Sequence, residues 1–97
     1  MLPTKITFMA ITNQFPGDSG WIYVDVPKKY TTALKTIRSS WGMFPISVSI
    51  NKTNWETKLM TKKGGNYFIA LKASIRLAES ISVGDKLRIS FCLFPNI

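Results

Sequence analysis

The sequence has no histidine and only one cysteine, Cys92, among its 97 residues. Histidine is the most frequent general base near neutral pH and the most frequent metal ligand, so its absence removes the usual centre of both kinds of site. A lone thiol can form neither an intramolecular disulfide nor a zinc site with cysteine and histidine ligands. We therefore expect a chain without cofactor or metal, in a reducing and hence cytoplasmic setting.

Acidic residues are also scarce. Only five are present, and no two of them form a spaced pair along the chain: Asp18, Asp25, Glu56, Glu79 and Asp85. Isolated acids of this kind are most simply turn residues or solvated positions, whereas carboxylate chemistry usually sets two such groups at one site. Without histidine to activate it, Cys92 is expected to be an inert thiol. The sequence therefore predicts a protein that is not an enzyme.

Long apolar runs are absent too. No stretch approaches the roughly 20 apolar residues that a membrane-spanning helix needs, and the N-terminal residues lack the pattern of a signal peptide. We therefore expect no membrane partner. The chain length, with 45% hydrophobic and 19% charged residues, suits one globular domain over residues 1–97.

Basic charge is what the chain has in surplus. Its 13 Lys and Arg residues give a formal net charge of +8. Such an excess favours anionic partners by long-range attraction, nucleic acid first among them. The basic residues are nevertheless spread along the chain and never form a run of three, so a merely well-solvated surface is the plain alternative.

Alternation of apolar and polar residues predicts six strands, at 6–12, 21–26, 44–50, 55–60, 67–71 and 87–93. A helical spacing of apolar residues after Pro27 predicts a helix near 28–38, and a second helix is predicted near 74–80 with Ser74 as its N-cap. Turn-forming residues at 13–20 predict a hairpin loop. The order β-β-α-β-β-β-α-β predicts a mainly β fold, a small closed or nearly closed barrel of about six strands, since closure removes exposed edges.

The predicted core consists of the apolar residues on the inward faces of these strands and helices. They are Ile22, Val24, Leu34, Ile37, Ile46, Val48, Leu59, Ile69, Ile75, Leu87, Ile89 and Phe91.

The turn Lys62-Lys63-Gly64-Gly65 is the first candidate for a binding site. Glycines in such a turn expose backbone N–H groups to an anion, and the two lysines add charge. A plain hairpin turn uses the same glycines without any ligand, and that alternative stays open.

Arg76, Trp41 and Trp55 complete the candidate binding residues. Aromatic side chains interleaved with cations suit the stacking of nucleic-acid bases, whereas in a small barrel aromatic side chains often close the ends. Two kinds of partner therefore remain: a small or anionic ligand in a pocket lined by tryptophans, or nucleic acid on a continuous basic face. We favour the small ligand, because no run or helix face concentrates the charge.

Several short motifs occur together along most of the chain. They comprise Trp21, Pro27, Gly64, Gly65, Lys72, Ile75, Arg76, Gly84 and Asp85. In this order they resemble a small bacterial domain-of-unknown-function family that is found alone or fused to a YdeI/OmpD-associated domain. The resemblance implies a closed β-barrel with short helical inserts, and it implies no activity. The chain departs from the family pattern at Lys52-Thr53, where a small residue is expected, and at Lys58, where a hydroxyl is expected.

A second resemblance concerns only parts of the chain. One part is a strand followed by the helix, Gly-Asp turn and strand of 72–91, and the other is the strand, proline and helix of 24–34. Together they resemble the half-unit of AbrB-type swapped-hairpin regulators, which bind DNA as dimers. Those regulators join the two features in one short unit, whereas here they lie far apart in sequence. The barrel uses all six predicted strands, and the dimeric regulator leaves several unused, so we favour the barrel.

Overall fold

A computed structural model of the protein describes residues 5–17, 20–31, 44–62 and 66–93. In chain order, its strands and helices are β1 (Ile6–Ile11), β2 (Asn13–Gln14), β3 (Ile22–Asp25), α1 (Lys28–Thr31), β4 (Phe44–Ile50), β5 (Thr53–Lys62), β6 (Asn66–Ala70), α2 (Ala73–Glu79) and β7 (Lys86–Leu93). No helix in these ranges has the length and apolar character needed to cross a membrane.

The strands form one antiparallel sheet in the order β1-β7-β4-β5-β6-β3-β2. Its two outer members, β1 and β2, are consecutive in the chain, so the segment from Ile6 to Gln14 pairs with β7 by its first part and with β3 by its second. The sheet thereby curls into a nearly closed barrel. This confirms the predicted small, mainly β barrel, and β1 and β2 together correspond to the first of the six predicted strands.

Thr12 is the residue at which this first strand changes partners. It is the one buried polar residue of the described chain, with 1% of its surface exposed. Its hydroxyl donates to the carbonyl oxygen of Ser82 at 2.6 Å, and its backbone N–H donates to the carbonyl oxygen of Asp85 at 2.9 Å. The backbone N–H of Gly84 donates back to the carbonyl oxygen of Thr12 at 3.0 Å. The turn before β7 therefore fixes the bend that closes the barrel.

The barrel interior is filled by the alternating side chains of the strands. Eight residues of the predicted core are buried there: Val24, Ile46, Val48, Leu59, Ile69, Ile75, Ile89 and Phe91. Ile22 and Leu87 are only partly buried and pack against this core, which corrects their assignment as fully inward residues. The predicted core residues Leu34 and Ile37 lie outside the described residues.

Two local predictions are wrong in detail. The segment predicted as a hairpin loop contains β2, because Asn13 and Gln14 pair with Tyr23 and Ile22. Helix α2 begins one residue earlier than predicted: Lys72 occupies the N-cap with extended backbone angles and makes no side-chain cap, so Ser74 lies inside the helix. The helix predicted near 28–38 is described only as α1, and its remainder lies outside the described residues.

Candidate binding cavity at the opening of the barrel

The sheet opens between β5 and β6. β5 pairs with β4 from Thr53 to Leu59 and with β6 only from Met60 to Lys62. If the pairing of Met60 with Phe68 continued, Thr57 would lie opposite Leu71, but the described ladder stops before that pair. β6 instead continues along β3, where the backbone N–H of Leu71 donates to the carbonyl oxygen of Ile22 at 2.8 Å. The two strands therefore diverge and leave a gap in the barrel wall.

Helix α2 lies beside this gap, directly after β6. Its Ile75 is buried in the core, which anchors the helix to the barrel. Its Arg76 is half-buried, and the Nε–H of the guanidinium donates to the carbonyl oxygen of Leu71 at 3.0 Å. The N–H of Leu71 bonds to β3 and its carbonyl to Arg76, so the arginine ties α2 to the end of β6 beside the gap. Arg76 therefore helps to hold the opening together and also places a positive charge in it.

A cavity of about 430 Å³ occupies the gap, and its walls are mostly apolar. The apolar side chains of the lining are Ile22, Met60, Ala70, Leu71 and Ala73. Trp21, just before β3, and Trp55, on β5, also line the cavity, together with Gly20 and Thr57. Trp55 is buried, with 7% of its surface exposed, whereas Trp21 is 51% exposed. The volume falls in the range of about 300–1,000 Å³ that is typical of small-molecule sites.

The charge in the cavity lining is exclusively positive among the described residues. Lys72 and Arg76 line it, and no acidic residue does. Nε of Arg76 is bonded to the protein, but the terminal Nη atoms of its guanidinium have no hydrogen-bond partner in the described part of the chain. Free guanidinium donors beside an apolar wall are suited to binding an anion, because they offer directed hydrogen bonds together with charge.

Trp21 is held at the cavity by β2. The Nε2 of Gln14 donates to the carbonyl oxygen of Gly20 at 2.9 Å, and the N–H of Phe15 donates to the carbonyl oxygen of Trp21 at 2.8 Å. Gly20 has a φ of +55°, and a Cβ atom there would lie 2.8 Å from Nε2 of Gln14. A side chain at position 20 would therefore be strained by its backbone angle and would displace Gln14. The glycine allows the contact that positions the tryptophan.

The predicted binding residues have different outcomes. Trp55 and Arg76 meet at this cavity. Lys62 is the last residue of β5, two residues beyond Met60, and pairs with Asn66. Lys63, Gly64, Gly65 and Trp41 lie outside the described residues, so the predicted anion site in that turn stays a prediction.

Three further lining residues that could contact a ligand through a ring, a hydroxyl or a charge were not among the predicted site residues: Trp21, Thr57 and Lys72. The sequence indicated Lys72 only as part of a family-like pattern, whereas Trp21 is one of the tryptophans expected to line a ligand pocket. Thr57 carried no signal, because one threonine in a predicted strand is unremarkable. Two other aromatic residues, Tyr23 and Phe68, do not reach the cavity but pack against each other with ring centroids 5.6 Å apart.

Comparison with protein families gives one match. The model of a domain of unknown function, DUF1905, covers residues 8–91, which include every strand and helix that forms the barrel except the ends of β1 and β7. No curated protein matches the sequence of this chain. The match agrees with the family resemblance of the sequence and with the barrel fold, and the chain belongs to the DUF1905 family of domains of unknown function.

Proposed function

We propose that this domain is a non-catalytic binding module, whose ligand is a small anion held in the cavity between β5, β6 and α2. The observation that carries the proposal is the combination of an apolar cavity of about 430 Å³ with two cations and no acid in its described lining. An apolar site with a few converging polar groups is the usual form of a small-molecule site. The positive lining determines the sign of the ligand.

The net charge of the chain supports the same ligand class. A formal charge of +8 attracts anions over distances longer than a contact and raises their concentration near the protein. Arg76 adds a local attraction, since its Nη donors, which bond to none of the described residues, lie at an apolar wall where water competes less strongly for an anion. Long-range attraction and local hydrogen bonding therefore favour the same partners.

The positions of the described acids support a role without catalysis. Glu79 accepts hydrogen bonds from Thr53 and Asn51, which lower the pKa of its carboxyl group, so it is an ionised structural contact rather than a proton donor. Asp85 accepts the backbone N–H of Ser82 in the turn before β7. Cys92 is half-buried on β7 opposite Ser47. A lone cysteine also suits the reducing cytoplasm, where we place the protein.

The proposal is tested by titrating the ¹⁵N-labelled protein with acetate, benzoate and inorganic phosphate and following its amide signals. We expect at least one of these anions to shift the signals of Thr57, Ala70 and Ala73 more than those of β4. Arg76→Gln should abolish the shifts. Arg88→Gln removes the same charge from an exposed position on β7, outside the cavity lining, and should leave them intact. Shifts with none of the three anions, or equal losses in both variants, would refute the proposal.

Nucleic acid is the rival partner, and the same protein tests it. Short single-stranded and double-stranded oligonucleotides are titrated at low salt, with a double variant in which Lys62 and Lys63 are both replaced by Ala. Phosphate-driven binding weakens steeply with salt, with a logarithmic slope of about −0.7 to −0.9 per phosphate contact. We expect no micromolar binding. Micromolar binding that has such a slope and vanishes in the double lysine variant would replace the small-anion proposal with a nucleic-acid one.

A further inference from the structure

The geometry points to a narrower ligand class for this cavity: an aromatic monocarboxylate, with its carboxylate on the Nη atoms of Arg76 and its ring against Trp55. This inference rests on the proposed small-anion function and adds the shape and chemistry of the ligand. It depends on three features of the site, which are the fixed orientation of Arg76, the apolar character of the remaining wall, and the unequal exposure of the two tryptophans.

Arg76 is oriented by its bond to the protein. Because Nε–H donates to the carbonyl oxygen of Leu71 at 3.0 Å, the plane of the guanidinium is fixed relative to the end of β6. The donors without a partner among the described residues are those of the two Nη atoms, which form one edge of the guanidinium fork. Two parallel N–H donors match the two oxygens of a carboxylate in a bidentate pair. A carboxylate thus has both of its oxygens satisfied by one side chain.

The apolar wall disfavours a more highly charged anion. A phosphate group would present further oxygens to the side chains of Ile22, Leu71 and Ala73, which carry no hydrogen-bond donor. Burying an oxygen without a hydrogen-bond partner is costly, and more so when it is charged. A carboxylic acid instead carries its charge at one end and apolar surface at the other. The cavity lining likewise combines a charged group, the guanidinium of Arg76, with apolar side chains.

The tryptophans favour an aromatic ring over a flexible chain. Trp55 is almost fully buried and cannot turn away, so it offers a fixed surface. Ring–ring contacts add to the free energy gained by burying apolar area, and Met60 contributes a polarisable sulfur to the same wall. The cavity of about 430 Å³ lies at the small end of the range that is typical of small-molecule sites. That size corresponds to one aromatic ring or two fused rings with a carboxylate.

Trp21 acts as the cover of the site. It is half exposed in the free protein, and it is attached to β2 through Gly20 and Phe15 rather than packed in the core. A ring seated on Trp55 would give Trp21 an apolar surface to close upon. Ligand binding should therefore reduce the exposure of Trp21 and shift its fluorescence emission to shorter wavelength.

The test compares five probes by calorimetric titration of the wild-type protein: benzoate, 2-naphthoate, cyclohexanecarboxylate, benzamide and inorganic phosphate. Benzamide keeps the ring and shape of benzoate without the charge, and we expect it to bind about tenfold more weakly or worse, because charge-assisted bidentate bonds are lost. Cyclohexanecarboxylate keeps the charge without the flat ring and should bind about two- to tenfold more weakly than benzoate. Phosphate should be the weakest anion.

Variants assign these preferences to residues. Arg76→Gln should remove the preference of benzoate over benzamide, while Arg88→Gln should retain it. Trp21→Ala should weaken the binding of 2-naphthoate, and Trp21→Phe should retain most of the wild-type affinity. In a Trp41→Phe background, Trp21→Ala should also abolish the shift of the fluorescence emission on binding. Should Arg76→Gln fail to fold, the comparison of probes on the wild-type protein decides by itself.

The outcomes separate the two proposals. Binding of phosphate or cyclohexanecarboxylate as tightly as benzoate, with shifts at Thr57 and Ala73, would overturn the aromatic carboxylate and leave the small-anion site in place. Benzamide binding as tightly as benzoate would overturn the role of Arg76. If no probe perturbs the cavity, the proposed function itself fails.

Discussion

The two halves of the barrel share β5 and differ in the length of their backbone pairing. In the long-ladder half, formed by β1, β7, β4 and the Thr53–Leu59 part of β5, the ladders run to seven residue pairs between β4 and β5 and six between β1 and β7. In the short-ladder half, formed by β2, β3, β6 and the Met60–Lys62 part of β5, they have only two or three pairs. The two halves therefore depend on different interactions.

Side-chain packing compensates for the short ladders. On the face of β3 and β6 that lies away from the core, Phe15 stacks on Tyr23 with ring centroids 4.1 Å apart, and both meet the edge of Phe68. Such aromatic pairs contribute beyond the area they bury. In the long-ladder half the same outer face carries Met9 and Ile11, which are about half exposed, and cations such as Arg88. Within the part of the chain that the structure describes, only the short-ladder half is thus packed on both faces.

The cavity lies where the two halves meet. β5 pairs with β4 up to Leu59 and with β6 only from Met60 onward, and Arg76 bonds to the carbonyl oxygen of Leu71 beside the resulting gap. A sheet with full pairing throughout would have no such opening. Binding regions are commonly drawn from the less extensively paired parts of a fold. The proposed ligand site therefore exists because the pairing in the short-ladder half is incomplete.

Core truncations in the two halves should have unequal costs. Ile89 is fully buried on β7, so Ile89→Ala should lower the free energy of unfolding by about 2–5 kcal/mol. Ile22 on β3 is partly buried and lines the cavity, so Ile22→Ala should cost about 1–2 kcal/mol. Chemical denaturation measures both, with Leu77→Ala as the control, since Leu77 is 82% exposed. Equal costs for the two isoleucines would contradict the division of the barrel.

The second prediction concerns the closure of the barrel at Thr12 and compares two substitutions there. Thr12→Val keeps the shape of the side chain but removes the donor to the carbonyl oxygen of Ser82, which should cost about 1–3 kcal/mol of unfolding free energy. Thr12→Ser keeps the hydroxyl and should recover most of that loss. Thermal and chemical unfolding of the pair give the measurement. If valine were no worse than serine, the hydroxyl would contribute nothing to closure.

The long-ladder half could be predicted almost completely from the sequence. From Phe44 to Ile50 the apolar residues alternate strictly, because one face of β4 packs on the core and the other does not. Leu87 shows the limit of this reasoning. It has the same alternation as Ile89 but lies opposite Ala10 near the beginning of β7, where the barrel buries less of it. Alternation identifies the face of a residue and not its depth.

The short-ladder half could not be predicted in the same way. β2 consists of Asn13 and Gln14, two residues with a preference for turns, and they form a strand only because β3 lies beside them when the barrel closes. Trp55 and Arg76 were identified by residue type alone. Their meeting depends on β5 pairing with β6 only from Met60 onward, a property of the assembled sheet that no local pattern contains.

The smallest expected effect concerns Glu79, which joins α2, the helix that follows β6 of the short-ladder half, to the long-ladder half. Its carboxylate, on α2, accepts hydrogen bonds from Thr53 at 2.5 Å and Asn51 at 2.6 Å, in the hairpin between β4 and β5. These bonds stabilise the charged form of Glu79 and lower the pKa of its carboxyl group in the folded protein below the ordinary value of 4.5. The stabilisation is therefore present above about pH 4.5 and is lost as the pH falls through the lower pKa of the folded state.

We expect the unfolding free energy of the wild-type protein to fall more steeply below pH 4.5 than that of Glu79→Gln, with the difference largest at neutral pH. Denaturant titrations at a series of pH values measure this. Glu56→Gln is the matched control, because Glu56 is an exposed carboxylate on the same hairpin with no hydrogen-bond partner among the described residues. If Glu79→Gln and Glu56→Gln had the same pH profile, α2 would be held to the long-ladder half by Ile75 packing alone, and the carboxylate bridge between the halves would have no energetic role.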